Sequence, residues 1–585
     1  MRLTIRQNGR EDLVVNSSDD ATIMETLALA DLRLDAPCGG QGRCGKCLVE
    51  AVGDLVPPES NEQKLLKGRE GKRLACLAKG AGDVTVVLSE KSVFNAVVGL
   101  GWSAPFQLDP VLSLAPIPER DRQDQSCLLS ALSLKTRPGQ GLADLAKLEA
   151  DKLPGWLLSW RDELLAAFPA TKRELGDAAN DKPANLAVAL DLGTTGLAAA
   201  VIDLDKREIA AMETALNPQT AMGADVISRI TLAAASEEDL LQLQDLALEG
   251  LAKLIVSAAG GPEQAKKIGG AVISGNTTML HLLAGVNPKS LAQAPYRPIF
   301  TQSLDLSHLS ERLNLAPYSR VVTSPSISAY VGGDISAGLI AVKLVERPGT
   351  CMFIDIGTNG EIVLSRNGKL VAASCAAGPA LEGMNIVCGT RAVTGAVDSF
   401  KLNDDLSAEF TTIGGAEPIG ICGSGIIDIC AELTKVGIIQ KSGRLVQPEG
   451  LPTVVEDGRY PLTEQVYFCQ KDVRQVQLAK GAISAAMKML LEKLSLSVDD
   501  LDEVIIAGSF GFHLRSESLL GISLIPKGYQ GPVTFVGNSS LAGSARLLLD
   551  RSAHQEIEEL VGRVEVMELG FDPKFQDAFL GELSF

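Results

Sequence analysis

The sequence predicts a multidomain α/β protein: a small mixed α+β unit, a small helical middle domain and a large duplicated C-terminal domain. Three observations support this prediction. Strand-like apolar runs alternate with helical periods through about the last 400 residues, which is typical of α/β folds. A motif at Asp191 recurs at Asp355, and a proline-rich stretch follows the first 90 or so residues. At about 150 residues per domain, 585 residues correspond to roughly four domains.

The N-terminal unit, residues 1–92, is composed of short strand-like runs around an amphipathic stretch from Thr22 to Asp31. Residues 93–126 contain four prolines and no sustained period, which is typical of a linker. Such a tether lets the first domain visit more than one docking site.

The middle of the chain is predicted to be helical. Leu142, Leu145 and Leu148 are spaced for one helical face, and a second apolar run follows Pro154. Residues 127–183 are therefore predicted as a small helical domain with a polar connector, and residues 184–585 as one duplicated domain.

The duplicated domain contains two copies of one pattern. Each copy is predicted as a strand, an Asp-x-Gly-Thr-x-Gly turn, a second strand, a tight turn and a third strand. The first turn begins at Asp191 and the second at Asp355, 164 residues later. In the second copy, Asn367 and Gly368 suit a type I′ hairpin turn. Two like halves imply a cleft between them.

Composition excludes several classes of function. Acidic residues outnumber basic ones, 72 to 54, for a net charge of -18, so a nucleic-acid partner is not expected. The N-terminus has no apolar signal segment, and no run of about 18 apolar residues occurs, so no membrane partner is expected. A cytoplasmic protein is the expectation.

Four cysteines form the sharpest motif. Cys38, Cys44, Cys47 and Cys76 follow the spacing C-x5-C-x2-C-x28-C, with a glycine-rich loop around the first three. This spacing resembles [2Fe-2S] ferredoxins of the adrenodoxin type and implies a β-grasp ferredoxin-like domain with these four cysteines as iron ligands. A four-cysteine zinc site is the alternative. The seven remaining cysteines lack ligand spacing and are expected to be buried small side chains: Cys127, Cys351, Cys375, Cys388, Cys422, Cys430 and Cys469.

The two Asp-x-Gly-Thr-x-Gly turns are predicted to bind the phosphates of ATP. Amides and hydroxyls of such turns cradle phosphate oxygens, while Asp191 and Asp355 hold hydrated Mg²⁺. A third element, EVIIAGSFG, and the CGSG run are further nucleotide candidates. The predicted nucleotide-binding residues are Gly193, Thr194, Thr195, Gly196, Gly357, Thr358, Asn359, Gly360, Gly423, Ser424, Gly425, Gly508, Ser509 and Gly511. The CGSG run is equally explained as the turn at the start of a helix.

These motifs, in this order, resemble the ASKHA superfamily of acetate and sugar kinases, heat-shock chaperones and actin. The resemblance implies an actin-like duplicated fold with two connecting helices, one within Pro325–Gly338 and one from Asn538. Asp334, in the first, lies where sugar kinases of this superfamily carry a catalytic aspartate. It would polarise a water for attack on the γ-phosphate, and a surface or helix-capping role is the equal alternative. Glu361 is a weaker catalytic candidate.

A [2Fe-2S] ferredoxin unit, a proline-rich linker and an ASKHA domain on one chain resemble the reductive activators of corrinoid-dependent enzymes over nearly the full chain. Segments that look like signatures of that family include NPQTAMGADVISRI (Asn217–Ile230), SGNTTMLHLLAG (Ser274–Gly285) and AGPALEGMNI (Ala377–Ile386). The resemblance implies that the [2Fe-2S] cluster passes one electron to Co(II) of a corrinoid protein, regenerating Co(I) in a methyl-transfer system with the help of Mg-ATP. An external low-potential donor and a homodimer through the ASKHA domain are also implied.

Other functions fit parts of the same sequence. One is a non-catalytic iron–sulfur redox sensor that gates nucleotide and partner binding. Another is an ATP-dependent activator of a different low-potential metalloenzyme, such as a 2-hydroxyacyl-CoA dehydratase, although those activators resemble shorter chains with a shared 4Fe-4S cluster. A ferredoxin-fused sugar kinase is the third.

Overall fold

A computed structural model describes the chain except for residues 8–11, 19–20, 29–47, 67–70, 89–107, 118–128, 130–132, 136–139, 152, 171–182, 224, 404, 448–454, 456–457 and 509–513. The chain divides into two compact units. The first contains Met1–Ser103, Val342–Asn538 and Glu565–Phe585, and the second contains Ala104–Ala341 and Ser539–Val564. No helix in the described part of the chain has the length and apolar character needed to cross a bilayer.

The N-terminal residues form a five-stranded mixed sheet in the order β2-β1-β5-β3-β4. Its elements are β1 (Arg2–Gln7), β2 (Leu13–Asn16), α1 (Ile23–Ala28), β3 (Leu48–Leu55), α2 (Ser60–Leu65), β4 (Lys72–Leu74) and β5 (Gly80–Leu88). Strands β1 and β5 pair in parallel, and the remaining pairs are antiparallel. Alternate residues Leu3 and Ile5 pack with Ile23 and Leu27 of α1 in one buried cluster. This arrangement is the predicted β-grasp ferredoxin-like fold.

The predicted helical middle domain is largely wrong, because its core is a sheet. An antiparallel sheet in the order β6-β7-β8 contains β6 (Leu112–Pro116), β7 (Gly155–Trp160) and β8 (Glu163–Pro169). Helix α3 (Gln140–Ala150) lies beside this sheet in the part of the region that the structure describes. Leu145 and Leu148 of this helix are buried against Leu157, so the helical face predicted there is confirmed.

The second apolar run resembles a helix in sequence because β7 is buried on both faces. All six of its residues are buried, so the run shows no alternation by which a strand is recognised. Strand β6 also corrects the predicted linker, since residues 112–116 belong to this sheet. Residues 93–107 and 118–126 of the predicted linker lie outside the described residues.

In the second unit, the first half of the duplicated region forms a five-stranded sheet in the order β11-β10-β9-β12-β13. The strands are β9 (Leu186–Leu192), β10 (Gly196–Asp203), β11 (Glu208–Leu216), β12 (Ile268–Gly275) and β13 (Arg320–Thr323). The helices are α4 (Val226–Ala235), α5 (Glu237–Ala259), α6 (Pro262–Ala265), α7 (Thr277–Leu283) and α8 (Gly333–Ala341). Strands β9, β12 and β13 are mutually parallel, so their carboxyl ends meet at one edge of the sheet.

In the first unit, the second half forms a six-stranded sheet in the order β23-β22-β14-β15-β16-β24. The strands of this half are β14 (Thr350–Ile356), β15 (Gly360–Arg366), β16 (Lys369–Cys375), β17 (Ala396–Leu402), β18 (Ala408–Thr412), β19 (Gly420–Ile421), β20 (Arg459–Pro461), β21 (Tyr467–Cys469), β22 (Glu503–Ala507), β23 (Val533–Gly537) and β24 (Val564–Val566). Its helices are α9 (Gly423–Lys435), α10 (Gln470–Lys493) and α11 (Ser516–Gly521). Small sheets of β17–β19 and β20–β21 accompany the main one.

The predicted internal repeat is confirmed. Strands β9, β10 and β11 form an antiparallel meander, and β14, β15 and β16 form the same meander in the other half. Asn367 and Gly368 connect β15 to β16 with φ angles of 51° and 76°, as a type I′ turn requires. The local sequence therefore encodes each copy of the hairpin independently.

The two predicted connecting helices are present, and the first is shorter than expected. Helix α8 begins at Gly333 rather than at Pro325, and the second connecting helix is α12 (Ser539–Leu549). The chain continues with α13 (Ala553–Val561) and α14 (Pro573–Gly581). Helices α8 and α12 cross closely at Gly543, where a Cβ would lie 2.1 Å from the Ala337 carbonyl oxygen. The small residues predicted at this crossing therefore have a steric reason.

Gly543→Ala is expected to destabilise the second unit, because the added carbon must push two helix backbones apart. Overpacking of this kind costs about 1–3 kcal/mol. Calorimetric unfolding should show a lower midpoint for this variant. Gly562→Ala is the control, since its Cβ would approach no atom closer than 3.7 Å. Equal midpoints for the two variants would contradict the steric reading of the crossing.

Candidate functional site

The first Asp-x-Gly-Thr-x-Gly turn joins β9 to β10 and is held from one side. Nδ2 of Asn217 donates to the Gly193 carbonyl at 2.8 Å, and the Asn217 amide donates to the Thr195 carbonyl at 2.9 Å. The N–H of a trans peptide points opposite to its carbonyl, so the amides of Thr194 and Gly196 face away from Asn217. Outward amides in a tight turn are the groups that bind phosphate oxygens.

The Thr194 hydroxyl is oriented by a second asparagine. Nδ2 of Asn276 donates to Thr194 Oγ1 at 2.9 Å. The amide orientation of Asn276 is fixed, because its Oδ1 accepts from the Met279 amide as the N-cap of α7. Because Thr194 Oγ1 accepts the hydrogen bond from Asn276, the Thr194 hydroxyl keeps its own hydrogen for another acceptor. Thr194 is therefore set to donate, as a phosphate ligand must.

Asp191, at the carboxyl end of β9, is bonded to the second connecting helix. Ser540 Oγ of α12 donates to Asp191 Oδ1 at 2.8 Å. One turn later, Ser544 Oγ donates to the Leu190 carbonyl at 3.1 Å and forms a second hydrogen bond with Ser274 Oγ at 2.6 Å. The carboxylate that precedes the turn thus takes its position from α12 as well as from its own strand.

Asp334 is the second residue of α8 and lies half-buried close enough to Asp191 to feel its charge. Burial, and then the charge of Asp191, raise the pKa of Asp334 to about 7. Its Oδ1 accepts from the Ile335 amide at 2.8 Å, which also suits the helix-end role that the sequence left open. The structure thus places the catalytic candidate Asp334 near Asp191, one of the two predicted Mg²⁺ ligands. The other predicted Mg²⁺ ligand, Asp355, belongs to the other unit.

The second Asp-x-Gly-Thr-x-Gly turn joins β14 to β15 and has an acidic neighbour. The Gly357 amide donates to the Asn359 carbonyl at 3.0 Å, and Thr358 Oγ1 donates to Glu382 Oε2 at 3.2 Å. Burial raises the pKa of Glu382. Glu382 lies in the segment Ala377–Ile386, which resembles a family signature, but the sequence alone predicts no role for it. Its contact with Thr358 joins residues 24 positions apart and so has no local sequence signal.

Glu361, the weaker catalytic candidate, lies opposite Asp355 in the β14–β15 pair and opposite Ser374 in the β15–β16 pair. Ser374 Oγ donates to its Oε1 at 3.2 Å. Residues directly opposite in an antiparallel pair project from the same face of the sheet. Glu361 therefore adds a second carboxylate on the face of Asp355.

The third nucleotide candidate begins at Gly508, directly after β22. Its φ is +123°, its amide donates to the Gly537 carbonyl at 3.0 Å, and a Cβ there would lie 2.6 Å from the Ile356 carbonyl oxygen. Only glycine fits this position. Ser509 and Gly511, predicted to act with Gly508, lie outside the described residues.

The CGSG run forms the start of α9. Ser424 Oγ donates to the Asp398 carbonyl at 2.7 Å, and a Cβ on Gly425 would lie 2.4 Å from the Val397 carbonyl oxygen. Gly423, Ser424 and Gly425 are all buried against β17. These contacts match the helix-start alternative, and a role in nucleotide binding stays a prediction.

Of the four predicted iron ligands, Cys76 lies within the described residues, and Cys38, Cys44 and Cys47 lie outside them. Cys76 follows β4 and is 6% exposed. The strand before it is fixed by a buried ion pair, in which Arg73 Nε and Nη2 donate to the two Glu62 oxygens at 2.8 and 2.9 Å. Glu62 also accepts from the Leu74 amide at 2.9 Å. The backbone two residues before Cys76 is thereby fixed by side-chain contacts of the protein itself.

Six of the other seven cysteines are described, and four of them match the expectation of buried small side chains. Four are buried and two are half-buried: Cys351, Cys375, Cys422 and Cys430, and then Cys388 and Cys469. Burial raises the pKa of the Cys351 thiol to about 11 and raises the pKa values of the Cys375 and Cys430 thiols. Thiols held protonated in this way are poor nucleophiles and poor metal ligands. Cys127 lies outside the described residues.

A β-grasp ferredoxin-like unit on one chain with a duplicated ASKHA fold defines an iron–sulfur protein with an ATP-binding domain. Family comparisons agree. Residues 5–79 match the 2Fe-2S iron–sulfur cluster binding domain, residues 186–347 match the RACo middle region, and residues 349–585 match the C-terminal domain of RACo, the ASKHA domain. The chain belongs to the family of reductive activators of corrinoid proteins.

Similar proteins extend over almost the whole chain. The corrinoid activation enzyme RamQ of Eubacterium limosum is 28% identical over 98% of this chain and 97% of its own. A [Co(II) methylated amine-specific corrinoid protein] reductase of Methanosarcina barkeri is 24% identical over 68% of this chain and 76% of its own. The solved structure of a reductive activator for corrinoid, iron–sulfur protein superposes with a TM-score of 0.74 at 28% identity, covering 100% of this chain and 98% of that one.

Asp334→Asn is expected to stabilise the nucleotide-free protein at pH 8. The folded-state pKa of about 7 lies above the unfolded value of about 3.9, so the carboxylate destabilises the fold increasingly as pH rises from about 4 to about 7. Asparagine removes that charge, and the gain should be on the order of 2 kcal/mol at pH 8 and smaller at pH 5. Chemical denaturation at both pH values measures it.

Glu263→Gln is the matched control, because the Glu263 side chain is 83% exposed and should show no such pH-dependent gain. An Asp334→Asn variant that is no more stable than wild type at pH 8 would contradict the raised pKa of Asp334, which burial causes first and the charge of Asp191 second.

Proposed function

We propose that this protein carries out ATP-dependent reductive activation of a corrinoid protein, passing one electron from an N-terminal [2Fe-2S] cluster to Co(II) and so regenerating Co(I). The observation that carries the proposal is the union, on one chain, of a 2Fe-2S binding domain with both RACo regions. The corrinoid protein is the partner. This corrinoid protein would belong to a methyl-transfer system, which works through Co(I) and occasionally loses it by oxidation to Co(II).

The need for ATP follows from the potentials involved. Clusters of the plant-type ferredoxin class lie near about -400 mV, and each deficit of about 59 mV in a one-electron transfer costs a factor of ten in equilibrium. Reduction of Co(II) to Co(I) is more demanding than such a cluster easily meets. Nucleotide binding and hydrolysis supply a conformational change that biases the transfer towards Co(I).

The residues assigned to the nucleotide divide by chemistry. Outward amides and the donating Thr194 hydroxyl suit phosphate oxygens, and Thr358 and Gly508 are proposed to serve the nucleotide from the other half. Bound Mg²⁺ would neutralise phosphate charge, and Asp191 and Asp355 are oxygen donors of the type it prefers. Asp334, with a raised pKa beside Asp191, is proposed to orient and deprotonate the attacking water.

The proposal extends to three further points. The electron that refills the cluster comes from an external low-potential donor, because the sequence carries no credible flavin or nicotinamide fingerprint. The protein acts in the cytoplasm, and it forms a homodimer through the ASKHA domain. Size-exclusion chromatography with light scattering tests the last point directly.

Anaerobic mixing with a Co(II) corrinoid protein tests the activity. With a reductant and Mg-ATP, the absorption bands of Co(I) should appear, and they should fail to appear when ATP is omitted. Asp191→Asn and Asp355→Asn should each slow the reaction by at least about tenfold, because each removes a proposed Mg²⁺ ligand. Co(I) formation that proceeds equally well without ATP would refute the proposal. A protein that binds ATP and cluster but never reduces cobalt would instead be a sensor.

Cys76→Ser tests the assignment of the cluster. Loss of one thiolate ligand should abolish or strongly weaken the visible absorption of the [2Fe-2S] centre and lower the iron content from two per chain. Cys469→Ser is the matched control, since Cys469 is a half-buried cysteine at the N-terminus of α10, where serine is also a good cap. Zinc in place of iron in the wild-type protein would contradict the assignment.

A further inference from the structure

Arg229 is completely buried, and none of the roles proposed above involves it. It lies on α4 within the segment Asn217–Ile230, and it is one of the largest described side chains that have no exposed surface. Arginine is almost never fully buried unless it is paired. A position of this kind calls for a specific reason.

Within the part of the chain that the structure describes, the guanidinium of Arg229 bonds to neutral groups. Nε donates to the Gly223 carbonyl at 2.9 Å, and Nη2 donates to the Thr194 carbonyl at 2.6 Å. Nη1 donates to Gln219 Oε1 and approaches Met279 Sδ, each at 3.1 Å. Among the described residues, no carboxylate accepts a hydrogen bond from this side chain. The four contacts hold the cation in place and leave its charge unneutralised.

Carboxylates around Arg229 do not supply the missing charge. The acid whose field acts on it is Asp225, which is exposed to solvent and already caps α4 by accepting from the Ser228 amide at 2.7 Å. Burial lowers the pKa of Arg229 to about 10, so the group remains a cation at neutral pH. A buried cation without a paired anion is strongly disfavoured unless an anion binds nearby.

The contact with Thr194 shows where that anion would lie. Arg229 and Asn217 together bond the carbonyls of residues 193, 194 and 195, which are the three carbonyls of the first turn. The amides of the same peptide units therefore point to the opposite side. The guanidinium lies behind the turn, and the phosphate-binding amides lie in front of it.

We propose that Arg229 is a positioning residue for the nucleotide phosphates. It holds the Thr194 carbonyl on the protein side of the turn and places a buried positive charge behind the outward amides. The phosphates, in turn, supply the anion that this cation lacks. The inference rests on the proposed function, because it takes Mg-ATP as the ligand.

Two variants remove the net charge by opposite means. Arg229→Gln deletes the cation and keeps an amide that can reach toward the Thr194 carbonyl. Gln219→Glu keeps every atom of Arg229 and places a carboxylate at the position that now accepts from Nη1, at the cost of the bond from Gln219 Nε2 to the Leu243 carbonyl. Arg229→Lys retains the charge and loses the forked geometry.

Arg320→Gln is the matched control. Arg320 is mostly buried and pairs with Asp305 at 3.0 Å, and it begins β13. Because β13 runs parallel to β9 through β12, Arg320 lies at the opposite edge of the sheet from the turn. It is thus an arginine of the same unit whose loss should not reach the phosphates.

The measurements are the unfolding midpoint without nucleotide and the affinity for Mg-ATP by titration calorimetry, taken well below every midpoint. Arg229→Gln and Gln219→Glu should each weaken Mg-ATP binding by about tenfold or more, and Arg229→Lys by clearly less than Arg229→Gln. A purely structural role predicts the reverse for lysine, since a buried ammonium costs more stability than a buried amide. Arg320→Gln should bind Mg-ATP like wild type.

Equal Mg-ATP affinity in wild type, Arg229→Gln and Gln219→Glu would overturn the inference while leaving the proposed function intact. So would equal affinities of the lysine and glutamine variants of Arg229. If Arg229→Gln does not fold, Gln219→Glu alone decides, because it keeps the guanidinium and its contacts. Wild-type protein that binds no Mg-ATP would refute the proposed function itself, and the inference with it.

Discussion

Three consecutive backbone carbonyls in the turn after β9 point into the protein, and the nucleotide site proposed for that half depends on this orientation. Asn217 bonds two of them and Arg229 the third. A peptide plane can be turned either way in a short loop, so the sequence Gly-Thr-Thr alone does not decide which side the amides face. The orientation of these peptide planes is determined by side chains from another segment, more than 20 residues away along the chain.

The two copies of the duplicated motif are supported by groups of opposite charge. The first turn has the Arg229 guanidinium behind it, whereas the second has the Glu382 carboxylate bonded to Thr358. An anionic phosphate is favoured by the first environment, and a divalent cation by the second. The two copies thus share one backbone shape and differ in the electrostatic character that their supporting side chains give them.

Local patterns in the sequence were enough for the parts of the fold that local interactions determine. The repeated strand–turn–strand units and the turn at Asn367 and Gly368 were predicted correctly, because they depend on alternation and on positive φ angles. The strand at residues 155–160 was not predicted, because a strand buried on both faces shows no alternation of apolar and polar residues. Contacts between distant segments, such as Thr358 with Glu382, have no local signature. The cysteine spacing was readable, yet three of its four members lie outside the described residues.

Ser540 and Ser544 lie four residues apart on one face of α12, and each bonds to the end of β9 or its neighbour β12. Because the two hydroxyls belong to one rigid helical turn, a rotation of α12 large enough to break one bond would also break the other. The bonds that hold the Asp191 carboxylate and the end of β9 are therefore made or lost together, so the position of that carboxylate is tied to the rotation of α12.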